Sequence, residues 1–135
     1  MSEQKPSTIE FVEPCVVELE LFGDIDQAEL ALLIDEFEPK VWKQPFMGLQ
    51  LGMQQTTSVT PEARRLGAER FSMLPNMFVA VVTESFSQRM IAKLVMTALQ
   101  LLKPGHVIAE FFSDPEGARA WLREQVTTHE TFPVE

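Results

Sequence analysis

Hydrophobic and polar residues follow two alternating periods along the chain. Between Cys15 and Phe22, apolar and acidic residues alternate every second position, which predicts a strand with one buried face. The short β-branched and aromatic run from Ile9 to Val12 precedes it, so the two segments predict a hairpin. A helical period follows, and we expect Pro39 to end that first helix. Its predicted inner face contains Leu30, Leu33, Ile34 and Phe37.

Short polar residues mark where each helix begins. Asp26 with Glu29, and Ser85 with Gln88, have the spacing of a capping box, and Ser113 with Glu116 repeats it. Thr60 precedes a proline, which suits an N-cap because proline is favoured at the first helical position. The last three predicted helices are Pro61 to Ser72, Phe86 to Leu102 and Pro115 to Val126.

Three further apolar runs lie between these helices and predict strands: Phe46 to Met53, Met77 to Val82 and His106 to Phe112. The second run is unbroken, which is typical of a strand covered on both faces in a parallel sheet. The predicted order is β-β-α-β-α-β-α-β-α, an α/β fold with a mostly parallel sheet packed with helices. We expect one domain over residues 1–126 and a polar tail over residues 127–135.

Charge and cysteine content narrow the class of protein. The 135 residues carry 20 acidic and 11 basic side chains, a net charge of −9, which argues against nucleic acid or an anionic membrane as partner. There is no apolar run of about 18 residues that would span a membrane. The single cysteine, Cys15, cannot form an internal disulfide, and we expect it to be buried in its strand. With a polar N-terminus, these features indicate a reducing cytoplasm.

The sequence shows no convergent catalytic group. His106 begins a predicted strand, whereas His129 lies in the predicted tail. There is no legible Ser-His-Asp or Cys-His grouping and no glycine-rich phosphate loop. We therefore expect no enzyme activity, no metal and no cofactor.

The stretch before the second helix is a candidate phosphorylation or anion site. Thr57, Ser58 and Thr60 precede Arg64 and Arg65, and a helix N-terminus attracts anions. The alternative is purely structural, with Thr60 as the helix cap. Because Thr60 is explained by capping, Ser58 and Thr57 are the residues where a functional role remains open.

The third helix has more apolar surface than a helix needs to cover a sheet. Arg89, Lys93, Thr97 and Gln100 form one narrow polar stripe, and apolar residues occupy most of the rest. Either the helix is wedged between its neighbours, or its spare face contacts another chain; a small hydrophobic ligand is a third interpretation. The candidate contact residues are Met90, Val95, Met96, Leu99 and Leu102.

The C-terminal half resembles a known family. Ser85 with Arg89 follows one apolar strand, Phe112-Ser113-Asp114 ends the next, and Ala118-Arg119-Ala120-Trp121-Leu122 lies in the last helix. These motifs, over residues 60–125, resemble small bacterial STAS-like (SpoIIAA-like) proteins, and the first half matches in element order.

The resemblance implies a STAS fold and protein–protein interaction without enzyme activity. In antagonists of this type a serine at the start of the second helix is phosphorylated, but their Asp-Ser-Ser/Thr-Gly run is absent here. We therefore expect a regulatory or interaction domain with a protein partner or a second copy of itself, and favour a homodimer. The alternative function is binding of a small hydrophobic, lipid-like or anionic ligand.

Overall fold

The computed structural model describes residues 7–13 and 16–131. Its strands and helices follow the predicted order β-β-α-β-α-β-α-β-α. The strands are β1 (Thr8–Glu13), β2 (Val16–Ile25), β3 (Phe46–Val59), β4 (Asn76–Val82) and β5 (Val107–Phe112). The helices are α1 (Gln27–Val41), α2 (Pro61–Ser72), α3 (Phe86–Leu102) and α4 (Pro115–Thr131). The prediction for Cys15 lies outside the described residues.

The strands form one sheet in the order β1-β2-β3-β4-β5. β1 pairs antiparallel with β2, which confirms the predicted hairpin, and the other pairs are parallel. Because crossovers between parallel neighbours share one hand, successive connecting helices lie on one face of the sheet. α1, α2 and α3 accordingly pack on one face, and α4, which follows β5, packs on the other.

The two faces of the sheet form two core layers of unequal size. The larger layer joins residues such as Leu49 and Val79 to α1, α2 and α3. The smaller layer joins Phe46, Phe78 and Leu122 beneath α4. β4 contributes to both layers, so it is buried on both faces, as its unbroken apolar run predicts.

α1 continues past the predicted stop at Pro39 and ends at Val41. The missing proline N–H affects only the last turn, where Trp42 N still donates to the Glu38 carbonyl at 3.0 Å. Phe37 and Val41 are fully buried and fix this last turn against the core. The proline prediction was wrong because packing at both sides of Pro39 outweighs one lost hydrogen bond.

The strand β3 is longer than the sequence indicates. It was predicted to end at Met53 but runs to Val59, because β2 also extends and the two strands stay paired as far as Ile25 opposite Val59. Thr57 and Ser58 therefore lie in a strand.

The last helix also differs from its predicted bounds at both ends. α4 continues to Thr131, so residues 127–131 are helical and the predicted tail begins too early. Its cap is Asp114 and not Ser113: Asp114 Oδ1 accepts from Gly117 N at 3.0 Å. Pro115 occupies the first helical position, which places the N-cap one residue before it.

Candidate functional site

The start of α2 is built as a structural cap. Thr60 Oγ1 accepts a hydrogen bond from Ala63 N at 3.1 Å, which confirms Thr60 as the N-cap. Thr60 N donates to the Ile25 carbonyl at 3.0 Å and so fixes the helix start to the end of β2. The Thr60 carbonyl also accepts from Arg64 N at 2.9 Å, so all three polar groups of Thr60 are used locally. Capping of this kind typically contributes about 1 kcal/mol.

Ser58 lies beside a carboxylate. Its hydroxyl donates to Asp24 Oδ1 at 2.7 Å, on the exposed end of the strand pair. Arg64 Nη1 donates to the Val59 carbonyl at 3.4 Å, and Arg65 lines a groove on the outside of α2. No hydrogen bond among the described residues joins Ser58 to either arginine. A phosphate on Ser58 would meet the charge of Asp24, so the anion site at this position stays a prediction with an electrostatic argument against it.

The inner face of α3 contains two of the predicted contact residues. Leu99 is fully buried and Met96 is 7% exposed, in the core layer with Ala92. Their assignment as surface contacts was wrong. The reason is the rotation of the helix about its axis, which an arc of mostly apolar residues does not specify.

The polar stripe of α3 lies beside the sheet edge. Gln100 Nε2 donates to the Val107 carbonyl of β5 at 2.7 Å, and the Lys93 ammonium lies 5.9 Å from the centre of the Phe111 ring. Because the polar side chains lie along β5 in this way, apolar residues are left on the solvent side of the helix.

These solvent-facing residues form what we call the outer row: Phe86, Met90, Leu94, Leu101 and Leu102. Their exposed fractions range from 41% to 80%. Two of the predicted contacts, Met90 and Leu102, are among them, and a third, Val95, is half-buried. Phe86, Leu94 and Leu101 were missed as contact residues, although Phe86, Met90 and Leu94 have the four-residue spacing of a helix face.

A groove separates the outer row from α2. Its volume is about 500 Å³, and it is lined by Arg64, Arg65, Ala68, Glu69, Leu94, Ala98, Leu101 and Leu102. At Gly67 of α2, an added Cβ would lie 3.9 Å from Val95 Cγ1, an ordinary contact distance, and 3.3 Å from Leu30 Cδ2, so the close approach there is to α1.

Cations flank the outer row on both sides. Arg64 and Arg65 line the groove on the α2 side, and Arg89 and Lys93 lie on the β5 side. α3 contains no acidic residue. Within the described parts of the chain, none of these four cations forms an ion pair, whereas Arg70 and Arg119 do. This surface is therefore apolar, and its edges carry four basic side chains and the carboxylate of Glu69, on a chain whose net charge is −9.

The apolar cavity inside the larger core layer is small. It has a volume of about 40 Å³ and is lined by residues such as Leu51, Met53 and Ile91. One water occupies about 30 Å³ in the liquid, and pockets for drug-sized ligands measure about 300–1,000 Å³. The cavity gives no support to the hypothesis of a bound lipid-like ligand.

His106 is a buried group with a structural role. Its Nε2 lies 2.7 Å from the Phe71 carbonyl, and its Nδ1 lies 3.0 Å from Asn76 Oδ1. Burial lowers the pKa of His106 below 6.5; the Phe71 carbonyl partly opposes this and the charge of Lys103 adds to it. His106 thereby ties the start of β5 to the end of α2 and the start of β4.

Two other kinds of site are absent from the described residues. Across residues 7–13 and 16–131 there is no group of three or more histidine, cysteine or acidic residues that could hold a metal ion. Over the same ranges, no helix combines the length and the apolar character needed to cross a membrane.

Comparisons with known proteins identify the fold. The chain matches no protein-family model and no curated protein sequence. It is similar in structure to an uncharacterised protein from the DUF3478 family with a SpoIIAA-like fold, from Shewanella loihica PV-4. That match has 16% identity and a TM-score of 0.59, and covers 90% of this chain and 97% of the other.

A second solved structure gives the same result. The anti-sigma factor antagonist SpoIIAA, in its unphosphorylated form, matches with 12% identity and a TM-score of 0.59, over 88% of this chain and 97% of that chain. The chain therefore has a SpoIIAA-like fold, as the sequence resemblance implied.

Proposed function

We propose that this chain is a non-enzymatic, STAS-like interaction domain of a regulatory kind, and that it docks another protein on the outer face of α2 and α3. The observation that carries the proposal is the outer row, an apolar strip of five exposed side chains with cations on both sides. Exposed apolar patches rimmed by polar residues are typical of protein interaction sites.

The chemistry of the surface favours an amphipathic helix with acidic flanks as the partner. Helices dock into grooves through apolar residues at helical spacing. The cations Arg64, Arg65, Arg89 and Lys93 complement acidic residues on either side of such a helix. The SpoIIAA structure belongs to an anti-sigma factor antagonist, and this likeness supports a regulatory role for the fold.

A homodimer is the second candidate, because the same apolar row is available to a second copy. In an antiparallel pairing of two α3 helices, a two-fold axis close to Lys93 would bring the Lys93 side chains of the two copies together. Like charges held together cost free energy, so charge favours a partner with acidic flanks over self-association.

The test uses a synthetic amphipathic helical peptide that has leucines on one face and glutamates beside them. Fluorescence anisotropy should show saturable binding to the protein. A matched peptide with lysines in place of the glutamates should bind at least about tenfold more weakly, because a tenfold change corresponds to about 1.4 kcal/mol. Leu94→Glu should weaken binding of the acidic peptide by a similar factor or more.

The control variant is Leu32→Glu, which places the same charge on an isolated exposed leucine of α1. It should bind the acidic peptide as the unmodified protein does. The proposal is contradicted if the two peptides bind equally tightly. It is also contradicted if Leu94→Glu and Leu32→Glu weaken binding of the acidic peptide by the same factor. Light scattering at tens of micromolar supplies the second readout: a dimer that Leu94→Glu converts to a monomer would assign the outer row to self-association instead.

A further inference from the structure

A second open surface lies where β4 and β5 end. The cleft there has a volume of about 440 Å³ and is lined by Thr83, Glu84, Ser85, Phe86, Arg89 and Ser113. The carboxyl ends of parallel strands are where ligands bind in open α/β sheets, and the N-terminus of the 17-residue helix α3 opens into the same cleft.

Thr83 provides an observation independent of the helix terminus. Its side chain lines the cleft although the residue is only 3% exposed. Its backbone N–H is paired with the Phe112 carbonyl at 3.0 Å, but its hydroxyl has no hydrogen-bond partner in the part of the chain that the structure describes. The hydroxyl itself is not sealed from solvent, since Gln50 Oε1 is the one fully buried side-chain atom without a partner among the described residues, so it can donate to a group bound in the cleft.

Two more side chains at the cleft are available to donate hydrogen bonds to a ligand. Ser113 does not cap α4, since Asp114 does, so its hydroxyl makes no hydrogen bond among the described residues. Arg89 forms no ion pair within those residues either. Hydroxyls and a guanidinium are the donors that recognise oxyanions.

The start of α3 is held rigidly in place. The buried amide of Gln88 donates through Nε2 to the carbonyls of Gln54 and Thr56, at 3.2 and 3.0 Å, and accepts from Glu84 N at 2.8 Å. Ser85 Oγ accepts from Gln88 N at 3.2 Å. The N–H groups of the first turn before Gln88 are left facing the cleft, where a ligand can use them.

We propose that this cleft binds the phosphate group of a small organic phosphate. Thr83, Ser113 and Arg89 donate to its oxygens together with the first-turn N–H groups of α3. The ring of Phe86, 76% exposed at the wall of the cleft, packs against the organic part. The start of α2 differs in one respect: Ser58 donates to the carboxylate of Asp24, whereas Glu84, the carboxylate that lines the α3 cleft, bonds neither Thr83 nor Ser113 among the described residues.

The probes are inorganic phosphate and phenyl phosphate, titrated at constant ionic strength against the whole protein. Amide NMR shifts should move and saturate at Thr83, at Ser85 to Gln88 and at Ser113. Phenyl phosphate should bind more tightly than inorganic phosphate, and Phe86→Ala should remove that difference. Arg89→Gln should weaken both probes about tenfold, as expected for a lost charge-assisted bond, and Thr83→Val about threefold.

Arg65→Gln is the matched control, because it removes an exposed arginine near the start of α2 while leaving the cleft intact. It should bind both probes as the unmodified protein does. The proposal is overturned if the amide shifts appear at Ser58 to Ala63 and not at α3, or if they do not saturate. It is also overturned if Arg89→Gln binds the probes as tightly as the unmodified protein. The thermal midpoint of Thr83→Val separates a lost contact from a folding defect. The peptide test of the docking surface uses Leu94, which lies outside this cleft, so either proposal can fail alone.

Discussion

The two faces of α3 are both rich in apolar residues, yet they have opposite surroundings. The inner face places Ala92, Met96 and Leu99 in the core, where they are at most 7% exposed. The outer face presents Leu94 and Leu101 to solvent, at 51% and 80%. The inner residues are explained by folding, whereas folding alone gives no reason for the outer ones. The comparison shows that hydrophobicity identifies a buried face only after the rotation of the helix is known.

The sharpest test of this difference is a pair of identical substitutions, Leu99→Ala and Leu101→Ala. Leu99→Ala should lower the free energy of unfolding by about 2–5 kcal/mol, because it leaves a cavity in a closely packed layer. Leu101→Ala should change it by less than about 0.5 kcal/mol, because the side chain is already in water. Urea unfolding measures both. Similar losses in the two variants would refute the assignment of inner and outer faces.

The stability of the fold should depend on pH because His106 is buried. The lowered pKa of His106 means that the folded protein binds its proton more weakly than the unfolded chain. Stability from this group is therefore complete above the unfolded value of 6.5, and is lost as the pH falls from there through the lowered folded pKa. The thermal midpoint should fall between pH 7 and pH 5, and by less in His106→Gln. If His106→Gln loses stability on acidification to the same extent as the unmodified protein, carboxylates and not His106 control the response.

The smallest effect on stability is expected on the outer row. Leu94→Ser should change the free energy of unfolding by less than about 0.5 kcal/mol. The same variant should weaken binding of the acidic helical peptide, because the row loses its central side chain. Calorimetry and anisotropy on one preparation measure both quantities. A clear loss of stability with unchanged peptide binding would show that Leu94 belongs functionally to the core.

Local signals predicted the order of elements and most boundaries. Pro61 and Ser85 mark helix starts that the structure confirms, because capping depends on residues within one turn. The end of β3 could not be predicted in this way, since Thr57 and Ser58 are held in a strand by pairing with the distant β2.

The candidate site was only partly predictable for a related reason. The apolar excess of α3 is visible in the sequence, but the side chains that reach solvent depend on where β5 and α2 lie. Gln100 and Lys93 are exposed, and their contacts with Val107 and Phe111, which the sequence does not indicate, place them beside the sheet edge. Ser113 was similarly misassigned as a cap, because Asp114 beside it satisfies the same rule.

The strand order also has a kinetic consequence. Every strand pairs with the strand that precedes it in the chain, so no pairing has to wait for a distant segment to arrive. Each parallel pair still closes a crossover of about 30 residues, as from Phe46 to Asn76, so the entropic cost of loop closure is similar at each step. The sheet can therefore grow one β-α unit at a time from β1 to β5, in the direction in which a ribosome delivers the chain.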